Sequence, residues 1–277
     1  MTGALAAKNE QIFAANRAVG SLRFSVKEVA GKTRRAEVHE AGSLRVRCPG
    51  APAAELEAVL INTAGGIAGG DRFDLDIAAG QDSRLVVTTA AAEKVYRTLG
   101  PKSEISVKLD VAAGATLAWL PQETILFDRA RLSRTIDVSL AADARLFLAE
   151  AIVFGRTGMG EVVAKGALID RWRVCRDGKL IYAESVRLDG AIAARLAEPA
   201  VAKGGVAVAT VLIAPGDDTA VEKVRALDDQ FVGEVGASAW NGLAAVRLCA
   251  PDGAALRHDL VHVMTALRGT LPRIWTN

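Results

Sequence analysis

The groups in this sequence most able to do chemistry are acids set in small-residue motifs. The segment INTAGGIAGGD, residues 61–71, carries the pairs Gly65-Gly66 and Gly69-Gly70 and ends on the carboxylate of Asp71. A phosphate-binding loop would need a lysine and then a hydroxyl after its second glycine, whereas Asp71 and Arg72 stand there. An acid aimed at a phosphate repels it, and the G-x-G-x-x-G step of a dinucleotide fold is also missing. A second cluster, FGRTGMGE at 154–161, includes Gly155 and Arg156 and ends on Glu161, with Glu150 in the apolar run before it. An unpaired charge within such a run is costly to bury. Glu150 and Glu161 would serve as the acid/base pair of a carbohydrate-active enzyme if the fold set them at a defined separation.

Other chemistry is thinly supplied. His258 and His262 lie four apart on a predicted helix, but they fall opposite its apolar stripe and lack the glutamate of an HExxH site. There is no G-x-S-x-G elbow, and Cys48, Cys175 and Cys249 form no close pair. Sparse cysteines point to a reducing, cytoplasmic setting. With 34 basic against 32 acidic residues, the formal charge of +2 argues against a nucleic-acid binder. The uncharged stretch from Gly204 to Gly216 is too short for a bilayer, which needs about 20 apolar residues.

The elements that must position these acids are strands. In RFDLDI, Phe73, Leu75 and Ile77 share one face; in EISVKLDV, Ile105, Val107, Leu109 and Val111 do so. Asp177-Gly178 and Asn241-Gly242 are hairpin dipeptides between apolar runs. LDIAAGQDSRLVV, LDVAAGATLAWL and VSLAADARLFL repeat a strand, a small-residue turn and a second strand. Their unequal periods fit stacked layers better than a strict solenoid. Helices are expected at 219–231 and, with Leu256, Leu260, Val263, Met264 and Leu267 on one stripe, at 253–268. The expectation is a mainly β protein of layered antiparallel or β-helix-like sheets with two peripheral α-helices, the C-terminal one amphipathic. Residues 1–20 read as a mobile extension and 21–277 as one β-rich domain.

Five strings in order, TAGGIAGGDRF, TTAAAEKVYR, WLPQETILFDRARL, AEAIVFGRTGMGE and LPRIW, resemble the UreD (UreH) family of urease accessory proteins. The resemblance implies a non-enzymatic scaffold that joins the accessory proteins UreF and UreG, docks on the urease apoprotein and helps insert nickel. It assigns nucleotide hydrolysis to the GTPase partner, in keeping with the missing phosphate loop. It also implies an internal channel that passes nickel(II), with no cofactor bound tightly. Carboxylates and hydroxyls suit such transit, because imidazole and thiolate would trap the ion. Carried over, the transient nickel path is Asp71, Glu150, Glu184 and Glu161, with the hydroxyls of Thr88 and Thr89. Gly65, Gly66, Gly69, Gly70, Lys94, Tyr96, Arg97, Gln122, Glu123, Gly155, Arg156, Arg273 and Trp275 are expected to fix the fold or touch partners.

Overall fold

Residues 17–51 and 53–276 are described in this computed structural model. Of the expected N-terminal extension, residues 1–16 lie outside the described residues, and Val19 and Gly20 already belong to the first strand.

The chain shuttles between two sheets. In spatial order the first holds β14 (Lys179–Gly190), β13 (Gly166–Arg176), β11 (Arg131–Leu140), β8 (Ser103–Val111), β5 (Arg72–Ala79), β1 (Val19–Val29) and β2 (Lys32–Ala41). The second holds β16 (Glu234–Trp240), β17 (Leu243–Ala250), β15 (Ala207–Ala214), β12 (Arg145–Phe154), β9 (Thr116–Leu120), β6 (Arg84–Thr89), β4 (Glu55–Asn62) and β3 (Leu44–Arg47). Short β10 (Thr124–Leu126) pairs with β12 and with β7 (Glu93–Val95).

The three repeated segments become β5-β6, β8-β9 and β11-β12, each crossing from one sheet to the other. Successive copies stack in parallel register, so the central ladders β5·β8·β11 and β6·β9·β12 form a β-solenoid. The turns stack as well: the Asp82 amide donates to Ala113 O at 3.0 Å, and the Gly114 amide donates to the Asp143 carboxylate at 3.0 Å. The unequal periods therefore do not prevent solenoid winding, because turn length varies while strand register is kept. Antiparallel pairing is confined to the ends, including the β13-β14 and β16-β17 hairpins. Their turns, Asp177-Gly178 and Asn241-Gly242, have both residues at positive φ, as the twist of a tight hairpin requires.

Alternation along each strand then makes two apolar layers. Leu146, Leu148 and Ile152 of β12 face the space between the sheets, whereas Phe147, Ala149, Ala151 and Val153 face outward. Two helices cover that outer face, α2 (Asp218–Arg225) and α3 (Gly253–Arg268); α1 (Ile192–Ala197) and α4 (Arg273–Thr276) are short. Leu256, Leu260, Val263 and Met264 of α3 are buried as its stripe predicts. The helix expected at 219–231 stops at Arg225, with a 3-10 turn at Asp228–Gln230. Past that turn the chain runs extended from Phe231, and the carboxylate of buried Asp259 on α3 accepts from the amides of Val232 (2.9 Å) and Gly233 (2.7 Å). Among the described residues no helix is long and apolar enough to cross a membrane.

Candidate functional site

Polar groups gather between the sheets around a buried triad. Arg134 and Asp170 occupy inward positions of the neighbouring strands β11 and β13 of the first sheet, and Glu150 an inward position of β12 in the sheet that faces them. Arg134 donates through Nε to Asp170 (3.0 Å), through Nη2 to the other Asp170 oxygen (2.6 Å), and through Nη1 to Glu150. Trp119 Nε1 donates to the remaining Glu150 oxygen at 2.8 Å. Burial raises the Glu150 carboxyl above its ordinary range, while Arg134 and Trp119 favour its charged form.

Two cavities share Glu150 and Arg134 of this triad on their walls. One, of about 530 Å³, has Glu150, Arg134, Asp170, Glu184 and Arg247 on its wall; the other, of about 420 Å³, has Glu150, Arg134, Trp119, Glu93, Thr89 and Gln122. In the first, Glu184 is gripped by Arg247 through Nη1 (2.7 Å) and Nη2 (3.1 Å), and the Tyr182 hydroxyl donates to it. In the second, burial pushes the Glu93 carboxyl up to about 7, against the lowering effect of the Asn62 amide, which donates to both its oxygens at 3.2 and 3.3 Å.

The acids expected on one path thus divide. Glu150 and Glu184 line the interior, whereas Asp71 and Glu161 line neither cavity. Buried Asp71 accepts from the Ala18 amide (2.9 Å) and the Ala68 amide (2.7 Å), closing the glycine loop onto the start of β1. Glu161 accepts from Arg156 Nε (2.9 Å) and Nη2 (3.2 Å), which holds its carboxyl below the ordinary range. Thr88 shares the outward face of β6 with Val86, so only Thr89 reaches a cavity. Its hydroxyl donates to Ala91 O and accepts from the Gln122 amide. Glu150 and Glu161 share no cavity, so the glycosidase pair is not assembled. His258 and His262 stack at 4.3 Å with their Nδ1 atoms occupied locally. Among the described residues no three metal-ligating side chains converge.

The remaining motif residues form two groups. Gln122 and Glu123 each accept from Arg257 of α3 at 2.9 Å; Arg257 stacks on the ring of buried Trp275, whose Nε1 donates to Leu120 O at 3.1 Å. Exposed Arg273 opens the short helix that carries Trp275. The second group joins the two glycine motifs. The Tyr96 hydroxyl donates to Gly65 O at 2.8 Å, its ring meets Phe127 edge-on at 5.3 Å, and Arg156 lies 4.3 Å above Phe127. At Gly66 a Cβ would stand 2.5 Å from that Tyr96 ring, and Lys94 O, 2.9 Å away, is fixed by the Ile67 amide. At Gly155, with φ +89°, a Cβ would stand 2.5 Å from Glu161 O. Only glycine fits either place.

Sequence reasoning missed Arg134, Asp170 and Glu93. A signal for the first two exists: each interrupts a perfect alternation, Leu132-x-Arg134-x-Ile136 and Leu168-x-Asp170-x-Trp172, at an inward position.

Fold and interior together define a β-solenoid whose charged groups are arranged around cavities between its sheets. Comparison with known proteins gives the particular class. The model of the family described as UreD urease accessory protein matches residues 18–276. A urease accessory protein UreD of Rhodopseudomonas palustris (strain BisB5) is 57% identical over 271 residues, covering 98% of this chain and 96% of its own. Another, from Bradyrhizobium diazoefficiens, is 55% identical over 266 residues, covering 96% of each. The chain belongs to the UreD family of urease accessory proteins, which are maturation factors rather than catalysts.

Proposed function

We propose that this chain is the scaffold subunit of an accessory complex with UreF and UreG that docks on the urease apoprotein, and that nickel(II) passes through its interior. The observation that carries the transit reading is that two cavities share Glu150 on their walls, with Glu93 in one and Glu184 in the other. Hard oxygen donors attract a hydrated dication, and the arginines on Glu150 and Glu184 offset part of that attraction, so the ion is passed on rather than stored. In this reading Asp71 and Glu161 hold loops in place, and the path runs through Glu93, Thr89, Glu150 and Glu184. The cargo is nickel, and the chain retains none of it.

The test is co-expression with UreF, UreG and the urease subunits, followed by capture on this chain and measurement of urease nickel. Chain-dependent nickel content together with co-purification supports the scaffold. Urease that fills equally well without the chain refutes it.

A further inference from the structure

The second group of motif residues is left over once the interior is accounted for, and it makes a surface. We propose that this flank of the solenoid, where the chain leaves β7, β10 and β12, is a docking face for a protein partner that presents a carboxylate-bearing segment flanked by apolar side chains. The inference rests on the accessory-scaffold reading and adds to it a place and a chemistry of contact.

Three observations converge. A cleft of about 680 Å³ is walled by Tyr96, Phe127 and the arginines 97, 129 and 156. Its two acids are already occupied: Glu161 by Arg156, and Asp128 by the Lys165 amide at 3.1 Å, with Arg129 at 3.7 Å. Arg97 has no acid within ion-pairing distance among the described residues, so the cleft keeps an excess of positive charge. The loops bordering it then carry the three most exposed large apolar side chains among the described residues: Leu99 at 93%, Met159 at 75% and Val162 at 66%. Large apolar groups at that exposure gain by being covered. Their mixture with cations fits a protein segment better than a bare polyanion. Stacking on Phe127 holds the Arg156 guanidinium in place, so little side-chain freedom is lost on binding. The face also adjoins the interior: Gly65, to which Tyr96 is bonded, lines the second cavity. A partner seated here would stand at that cavity's rim.

The test uses the full chain, tagged and co-expressed with UreF, UreG and the urease subunits. Arg97→Glu and Leu99→Asp alter the face, and Arg145→Glu alters the opposite flank of the solenoid, at the start of β12. We expect the two face variants to retain at least about tenfold less of one partner, and wild-type capture to weaken as salt rises. Arg145→Glu should capture as wild type does. Leu99→Ser repeats the test with a neutral side chain if Leu99→Asp fails to fold. Undiminished capture by the face variants overturns the surface while leaving the scaffold reading intact. Nucleic acid retained in place of a protein also overturns it. If wild type captures none of the three proteins, the scaffold reading falls first and the surface falls with it.

Discussion

Arg134 is the residue on which the interior turns, because one guanidinium serves two buried carboxylates. Removing one partner of a buried ion pair leaves uncompensated charge and costs roughly 3–5 kcal/mol. Arg134→Met should lose stability on that order in urea denaturation. Glu150→Gln should lose less, because Arg134 keeps both of its bonds to Asp170. Equal losses would mean that Glu150, and not Asp170, anchors the arginine. Glu93 gives a pH dependence of definite sign. Its carboxyl stands at about 7 when folded against an ordinary 4.5, so between those values the native state holds a proton that the unfolded chain releases. Stability from this group is complete below the lower value and is lost as pH rises through the upper one. Between about pH 5 and about pH 8, wild type should therefore lose more stability than Glu93→Gln. Parallel stability curves would show that Glu93 ionises freely in the folded protein.

At the scale of elements, α3 is fastened to the second sheet by Arg257 as well as by its apolar stripe. That side chain donates to Gln122 and Glu123 and, at 2.8 Å, to Ile274 O. Hydrogen bonds involving a charged group contribute roughly 1.5–3 kcal/mol each and are not additive. Arg257→Ala should speed amide hydrogen exchange in α4 and in the 122–123 segment, while the β5·β8·β11 ladder stays protected. Slow exchange in both places would assign the fastening to packing alone. Much at this scale was legible in the sequence. Alternation in RFDLDI and EISVKLDV gave strands, two dipeptides gave hairpins, and the Leu256–Leu267 stripe gave α3. The extended course after the 3-10 turn was not legible, because Val232 and Gly233 are held by Asp259, a residue of another helix. The candidate site was half legible for the same reason. A motif marked Glu150 as unusual, but its partners come from β11 and β13, and no local pattern says which strands become neighbours. Asp71 was singled out for its motif, and its carboxylate binds the Ala18 and Ala68 amides and lines neither cavity.

For the molecule as a whole, solenoid winding is what brings Arg134 and Asp170 opposite Glu150. Parallel stacking places β11, β12 and β13 so that one arginine reaches across both sheets' facing sides, and it leaves cavities on either side of that contact. The transit proposed above would require both cavities, and blocking either should then have the same effect. Thr210 lines the first cavity in register with Glu150, and half-buried Ile105 lines the second. Thr210→Trp and Ile105→Trp each direct an indole into open space rather than into packed core, so partner capture and thermal unfolding should stay near wild type. Urease nickel content should fall in both variants, and their combination should add little, because two obstructions in series stop the same flow. A fall with only one of them would place the route through that cavity and out at the triad. No fall with either, in variants that still assemble, would leave the chain as a scaffold with a solid role and an idle interior.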